Sequence, residues 1–260
     1  MSDAARGIRQ GLPGADGFVT GLCLTAGELQ RVKASIERQW LATLRQQAPA
    51  LAGRFEQVGI ARYHELAHLV DHAALWPKQA RILPPDAAAE IRRTSLLQQL
   101  EAEFGPFSIS NEEQVGWDEI TWRIVRPGQA ADMGPLHADA WFWDLGHGAV
   151  PPDQERVKVW VAVVAEPGRS GLRLVPGSHR RRWRYHGERR HGMLKPQLDE
   201  PEEDLDIQLI ATRPGDAVIF HDRLLHGGAL NRGAVTRISF ELTLFVRRVE
   251  IGAAAAHPQG

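Results

Sequence analysis

Three side chains in this sequence have the types and spacing to hold one face of an octahedral metal ion. His137 and Asp139 flank Ala138. On an extended segment residues i and i+2 point the same way, so this imidazole and this carboxylate can grip one ion from one side. A third ligand must come from elsewhere, and His226, in His226-Gly227-Gly228, follows a strand-like run at 216–221 after a short turn. Two histidines and one carboxylate leave three positions open, the arrangement with which non-haem iron(II) sites admit O2 and a chelating cosubstrate. Eleven residues after His226 comes Arg237, with Ser239 as its same-face neighbour on a strand. An arginine fork binds a carboxylate through two bonds, and a serine hydroxyl adds a third. The pair suits the far carboxylate of 2-oxoglutarate, whose keto-acid end would chelate the iron.

A second motif competes. His64-Glu65-Leu66-Ala67-His68 fits H-E-x-x-H, in which two histidines one helical turn apart bind zinc and the glutamate acts as general base. His72 extends the same face. A zinc metallopeptidase also needs a third ligand, a bound water and an edge strand for its substrate, which the sequence does not place; the plainer reading of the motif is a solvated helix face. A non-catalytic cupin-like binding module is a third reading. Arg237 and Ser239 argue against it, because a metal store needs no carboxylate clamp.

The elements that must position these groups divide the chain. Thr25-Ala26-Gly27-Glu28 reads as a capping box, and Leu29, Val32, Ile36, Trp40 and Leu44 then recur at helical spacing to about Gln47. A second helical stretch is expected over 60–75. A third follows Pro84-Pro85, capped by Asp86, with Ile91, Leu97, Leu100 and Phe104 on one face and Gly105-Pro106 at its end. Residues 1–24 read as an irregular lead-in. From about 107 the period changes to short runs rich in Val, Ile, Thr and Trp between turn residues, with strands expected at 107–111, 117–126, 157–165, 171–175, 207–211, 216–221 and 236–247. Two of these alternate informatively. In 236–247, Ile238, Phe240, Leu242, Leu244 and Val246 share one face, and Arg237, Ser239, Glu241 and Thr243 the other; in 157–165, four valines share a face, and Lys158 and Trp160 begin the other. An apolar outer face packed under helices, with a polar inner face, fits a small barrel whose interior is a binding site.

The chain has 260 residues, room for one domain with a substantial core. We expect a helical part at 1–105, a β core at 106–248 and a tail at 249–260, with Ala-rich 252–257 frayed. Formal net charge is −1, which gives no ground for nucleic-acid or membrane-surface binding by the whole molecule. Cys23 is the only cysteine, so an internal disulfide and a cysteine zinc site are excluded. Residues 10–25 are broken by Gly, Pro, Asp and Thr and make no signal-peptide core, and no window approaches the roughly 18 apolar residues of a membrane span. The expectation is a cytoplasmic protein acting on a small molecule.

From Trp117 to Val246 the sequence resembles the phytanoyl-CoA dioxygenase-like family of Fe(II)/2-oxoglutarate oxygenases. The pieces that carry the resemblance are His137-Ala138-Asp139, the strand from Val157 to Val163, Gly171-Leu172-Arg173-Leu174-Val175-Pro176-Gly177-Ser178-His179, Gly215 to His221, Leu225-His226-Gly227-Gly228 and Thr236-Arg237-Ile238-Ser239, in the family's order. The resemblance implies a double-stranded β-helix (a cupin-like jelly roll, mainly β) with helices packed on it and a helical N-terminal third. It implies Fe(II), 2-oxoglutarate and O2 as cofactor and cosubstrates, with oxidation of an unactivated C–H bond and release of succinate and CO2. It places Trp160 in the cosubstrate pocket, and Thr121 and Arg123 where members put further cosubstrate contacts, although Gln or Asn is missing there. Trp141 and Trp143 fall where the family places substrate-facing residues. The long connection after Ser178, basic in its first half and acidic in its second, falls near the barrel mouth. Arg182 and Arg184 in it are candidates to steer an anionic substrate, against the plainer reading of a charge-balanced surface.

Overall fold

The computed structural model describes residues 7–190 and 193–248; the expected frayed tail at 252–257 lies outside them. The N-terminal part holds α1 (Ile8–Gly11), β1 (Phe18–Cys23), α2 (Ala26–Gln47), α3 (Pro49–Val58), α4 (Tyr63–Leu66), α5 (His72–Leu75), α6 (Pro85–Arg92) and α7 (Ser95–Phe104). The capping box starts α2 as expected. Glu28 N–H donates to Thr25 Oγ1 at 3.3 Å, and Thr25 N–H returns a bond to Glu28 Oε2 at 2.8 Å. The expected third helix is two. Thr94 leaves the helical conformation and caps α7, so Leu97 to Phe104 sit on a new axis rather than continuing α6. The stretch 60–75 is broken into single turns of α and 3-10 helix.

Glu28 also stitches α2 to α7, accepting from Ser95 N–H at 2.6 Å and from Ser95 Oγ at 2.8 Å. Burial alone would raise its pKa, but the bonds from Ser95 and Thr25 outweigh that and bring it down to about 2. A folded pKa below the unfolded value means stability that is complete above about pH 4.5 and is lost as pH falls towards 2. Glu28→Gln should therefore be less stable than the native protein near pH 7, by about 1–2 kcal/mol after allowance for solvent screening, and the gap should narrow progressively below pH 4.5. Urea melts at pH 7 and pH 3.5 measure it.

The β part follows. β2 (Ser108–Ile109), β3 (Thr121–Val125), α8 (Asp139–Asp144), β4 (Gln154–Val164), β5 (Leu172–Leu174), β6 (Tyr185–Arg190), β7 (Met193–Leu198), β8 (Gln208–Leu209), β9 (Asp216–His221), β10 (His226–Gly228) and β11 (Arg237–Arg247) run in that order. A six-stranded antiparallel sheet has the order β1-β9-β4-β11-β2, with β3 also on β11; a three-stranded sheet has the order β10-β5-β8. The two are open sheets of a jelly roll, not the closed barrel that the alternation alone suggested. The helices cover the outer face: Val32, Ile36, Trp40 and Leu44 of α2 share one buried cluster with Val157, Val159, Val161, Phe240, Leu242 and Leu244. On the inner face, Trp160, Ala162, Val218 and Phe220 of the large sheet pack on Leu172 and Leu174 of the small one.

Several elements were not expected, among them the short helices α1 and α8, the helix α3, and the strands β1, β6 and β7. The lead-in contains β1, paired with β9 through Phe18–Phe220 and Cys23–Asp216. The connection after Ser178 is not an irregular loop but a hairpin, β6 on β7, whose charged residues hide its strand pattern. No described helix is long and apolar enough to cross a membrane.

Candidate metal centre

His137, Asp139 and His226 converge between the two sheets, each offering a ligand atom within 4.8 Å of the others. Their meeting is a backbone event. His137 N–H donates to His226 O at 3.0 Å and His226 N–H to His137 O at 2.9 Å, an antiparallel bridge that sets the two rings 4.5 Å apart. Ala138 is extended, so Asp139 points back to the same side, as the spacing suggested, and α8 begins at Asp139 itself. Asp139 Oδ1 is 3.7 Å from His137 Nε2, and Oδ2 is 3.5 Å from His226 Nε2.

Each imidazole is oriented by its other nitrogen. His137 Nδ1 lies 3.0 Å from Pro135 O and His226 Nδ1 2.9 Å from Leu224 O. A carbonyl can only accept, so both Nδ1 atoms carry the proton and both Nε2 lone pairs face the shared space. Burial pushes the His226 pKa down to about 4, which leaves the ring neutral at pH 7, as a ligand must be. Burial would raise Asp139, but Lys158 and the two histidines hold it well below the usual carboxylate range. Lys158 Nζ is 3.4 Å from Asp139 Oδ2 and donates to Thr243 Oγ1 at 2.9 Å. Asp139 Oδ2 is buried with no hydrogen-bond partner among the described residues. An ionised carboxylate, balanced by Lys158 but with one oxygen not hydrogen-bonded, beside two free Nε2 lone pairs is a donor set that fits a divalent cation.

Arg237 is 3% exposed and Ser239 fully buried, on the inner face of β11. Arg237 Nη1 donates to Gly171 O at 2.5 Å, but Nε has no partner among the described residues, and neither does Ser239 Oγ. Burial, with Arg123 nearby, outweighs the longer-range pull of Glu241 and Asp132 and pushes the Arg237 pKa down to about 10, so the guanidinium stays charged at neutral pH although no acid is in direct contact with it among the described residues. Gly228, two residues past His226, lets this guanidinium approach; a Cβ there would meet Nη2 at 3.2 Å. Trp160 lines the same space, its ring centroid 5.9 Å from the Arg237 guanidinium carbon.

The other expected residues fall in several places. Thr121 is buried on β3 opposite Glu241. Arg123 donates to Glu241 Oε1 from Nε at 3.1 Å and Nη2 at 2.7 Å, so its fork already holds an acid. Trp141 stacks on Tyr185 of the hairpin at 4.5 Å, and Trp143 packs on Phe245 under the Arg156 guanidinium; it is the intervening Phe142 that meets His137, at 5.3 Å. Helical rotation separates these three rings, which a strand pattern would not have done. Arg182 borders a concavity described below, whereas the exposed Arg184 does not. In the competing motif, His64 Nδ1 is bonded to Thr236 Oγ1 at 2.9 Å, Glu65 is paired with Arg62, and His68 lies beyond a change from α to 3-10 helix. Among the described residues only His137, Asp139 and His226 form a metal-type cluster.

Three positioning residues escaped the sequence reading. Glu202 accepts from Leu136 N–H and pairs with Arg173, which ties the His137 loop to β5. Ser178 Oγ accepts from Leu225 N–H at 2.8 Å, just before His226. Lys158 was legible only as a polar alternation on β4; its approach to Asp139 needed the fold.

A family model described as phytanoyl-CoA dioxygenase (PhyH) matches residues 16–239. Solved structures share the fold at low identity. AviO1 from Streptomyces viridochromogenes Tue57 aligns with a TM-score of 0.55 and 19% identity over 98% of this chain and 99% of its own. SnoK, described as a non-heme alpha ketoglutarate dependent carbocyclase from nogalamycin biosynthesis, aligns with a TM-score of 0.55 and 15% identity over 95% and 84%. EctD from S. alaskensis, solved with 2-oxoglutarate and 5-hydroxyectoine, gives 0.52 and 16% over 96% and 80%. No curated protein sequence matches significantly.

Proposed function

The chain belongs to the phytanoyl-CoA dioxygenase family, and from that premise we propose that it is an iron(II)- and 2-oxoglutarate-dependent dioxygenase that hydroxylates, or otherwise oxidises, a small polar or anionic metabolite. The observation that carries the reading is Arg237: a buried guanidinium with an unpartnered Nε, next to an unpartnered Ser239 Oγ, on the inner face near the His-Asp-His cluster. Leaving such donors buried is costly unless a ligand completes them. A dicarboxylate that reaches from the cluster to Arg237 completes both ends. We take residues 1–260 as one oxygenase domain; the shared core of helices and large sheet supports this.

In this reading His137, Asp139 and His226 hold iron(II), and Arg237 with Ser239 holds the far carboxylate of 2-oxoglutarate. Together with O2 this pair supplies the oxidising power for a C–H bond, with release of succinate and CO2. The chain's own groups do the rest. The two Nδ1–H bonds keep both imidazoles in the ligating tautomer. Lys158 keeps Asp139 ionised, and Trp160, Phe220 and Leu174 exclude water from the cosubstrate side. Arg123 and Thr121 stand beside the Arg237 strand and shape the pocket; the Arg123–Glu241 pair makes a direct carboxylate contact by Arg123 secondary to that of Arg237.

The presence of Asp139 also sets the reaction type. Were iron(II) held by the cluster, the Asp139 carboxylate would occupy the place that a halide would need, so the expected products are hydroxylated or desaturated and not chlorinated. Mass spectrometry of reactions run in chloride checks this, and a chlorinated product would overturn it. The test of the reading itself is a metabolite screen that follows succinate release after anaerobic iron loading, together with the visible charge-transfer band of an iron(II)–2-oxoglutarate chelate. A protein that gives neither band nor succinate is not this enzyme.

A further inference from the structure

Beside α8, the helix that begins at Asp139, lies a concavity of about 430 Å³. Ala140, Trp141 and Asp144 of α8 form one wall, and the hairpin entrance at 181–185 forms another. Asp222 and Arg223, in the turn between β9 and β10, form the third, with Arg156 of β4.

The charges in it do not balance. Arg156 gives Nε and Nη2 to Asp222 Oδ2 at 2.9 and 2.5 Å, yet its side chain is 8% exposed and its Nη1 has no partner among the described residues. Asp222 is already shared with His221 at 3.1 Å. Asp144 accepts from Tyr185 OH at 3.0 Å, and Arg181 has Glu200 at 3.5 Å. The side chains of Arg182 and Arg223 have no acid and no acceptor among the described residues. The pocket therefore presents two free guanidinium groups and one buried, unsatisfied N–H around a space of ligand size. Guanidinium forks match the oxygens of phosphate and carboxylate, and unpaired ones in a half-enclosed site are an anion trap.

Its position links it to the chemistry. Ala140 follows Asp139 directly, and its N–H is bonded to Asp222 O at 3.0 Å, so one wall of the pocket is the backbone that starts at a metal ligand. Arg156 is two residues from Lys158 on β4 and hence on the same inner face, and Lys158 touches Asp139. We propose that this pocket is an anion subsite, formed by Arg156, Arg182 and Arg223, that holds a phosphate or carboxylate carried by the substrate while its reactive carbon sits at the metal centre. The second half of that statement rests on the oxygenase reading; the anion site itself does not.

The test uses iron-loaded enzyme with saturating 2-oxoglutarate under anaerobic conditions, titrated calorimetrically with phenyl phosphate and, separately, with phenylacetate. Saturable binding of one or both is expected, and the one that binds names the anion. The double variant Arg182→Ala/Arg223→Ala, whose side chains are exposed, should weaken it about tenfold or more, in line with loss of charge-assisted hydrogen bonds. The effect should shrink at high salt. The 2-oxoglutarate titration of the charge-transfer band should be the same in both proteins. No binding of either probe to the wild type, or equal binding to the double variant, overturns the subsite. Absence of the charge-transfer band with probe binding intact overturns the oxygenase reading and leaves the anion site standing.

Discussion

Replacing His137, Asp139 or His226 with alanine is expected to abolish iron retention and succinate formation while the protein stays folded. The loss should exceed the roughly 10- to 100-fold typical when only a partner behind a ligand is removed. Each residue contributes one of three donors, and the remaining two cannot hold iron(II) against water and buffer. The fold should survive because what joins the segments is the pair of backbone bonds between His137 and His226, which alanine keeps. His68→Ala is the control: this exposed residue is outside the cluster, and its loss should leave turnover unchanged. Metal content after anaerobic loading, circular dichroism and succinate release check the set. A variant lacking His68 that is dead, alongside triad variants that turn over normally, would restore the zinc-peptidase reading.

Arg237→Ala should raise the 2-oxoglutarate concentration needed for half-saturation by roughly 30- to 5,000-fold. That range corresponds to the about 2–5 kcal/mol at stake when one partner of a buried, hydrogen-bonded charge pair is lost. A structural arginine would behave differently in a second measurement. The folded pKa of Arg237, about 10, lies below the ordinary 12.5 because burial and Arg123 disfavour the charge. At neutral pH, therefore, the guanidinium costs the cosubstrate-free protein stability, and a carboxylate bound beside it would offset that cost. Arg237→Met, which keeps much of the volume, should melt no lower than wild type without 2-oxoglutarate. Added 2-oxoglutarate should raise the melting temperature of wild type and leave that of the variant unmoved. An equal shift in both proteins would remove Arg237 from the cosubstrate site.

The types and spacing of the chemistry-bearing residues were legible in the chain. His137-x-Asp139 needs only an extended residue between the two ligands, and Arg237 with Ser239 needs only the strand repeat, so local geometry was enough to put each pair on one side. The same holds for α2, whose capping box and apolar stripe are both short-range signals, and for the apolar face of β11 that the helices cover. Two expectations failed because they were local as well. The residues of β6 and β7 read as a charged loop, since His186 to Arg189 are polar or Gly and exposed, and the one alternation, Leu194, Pro196 and Leu198 in β7, is short and interrupted by a proline. β1 was missed because its partner β9 is some two hundred residues away, and its Thr20 and Gly21 are exposed.

What only the tertiary structure decided is which polar groups share a space. Long-range antiparallel pairing brings His226 to His137 and Arg123 to Glu241, and tertiary packing brings Lys158 to Asp139. It also gathers Arg156, Arg182 and Arg223, three arginines from distant stretches of the chain, around one cavity. Periodicity reports the face on which a side chain lies. It carries no information on what stands opposite that face, because that depends on strand order and register, which are settled by packing over the whole core.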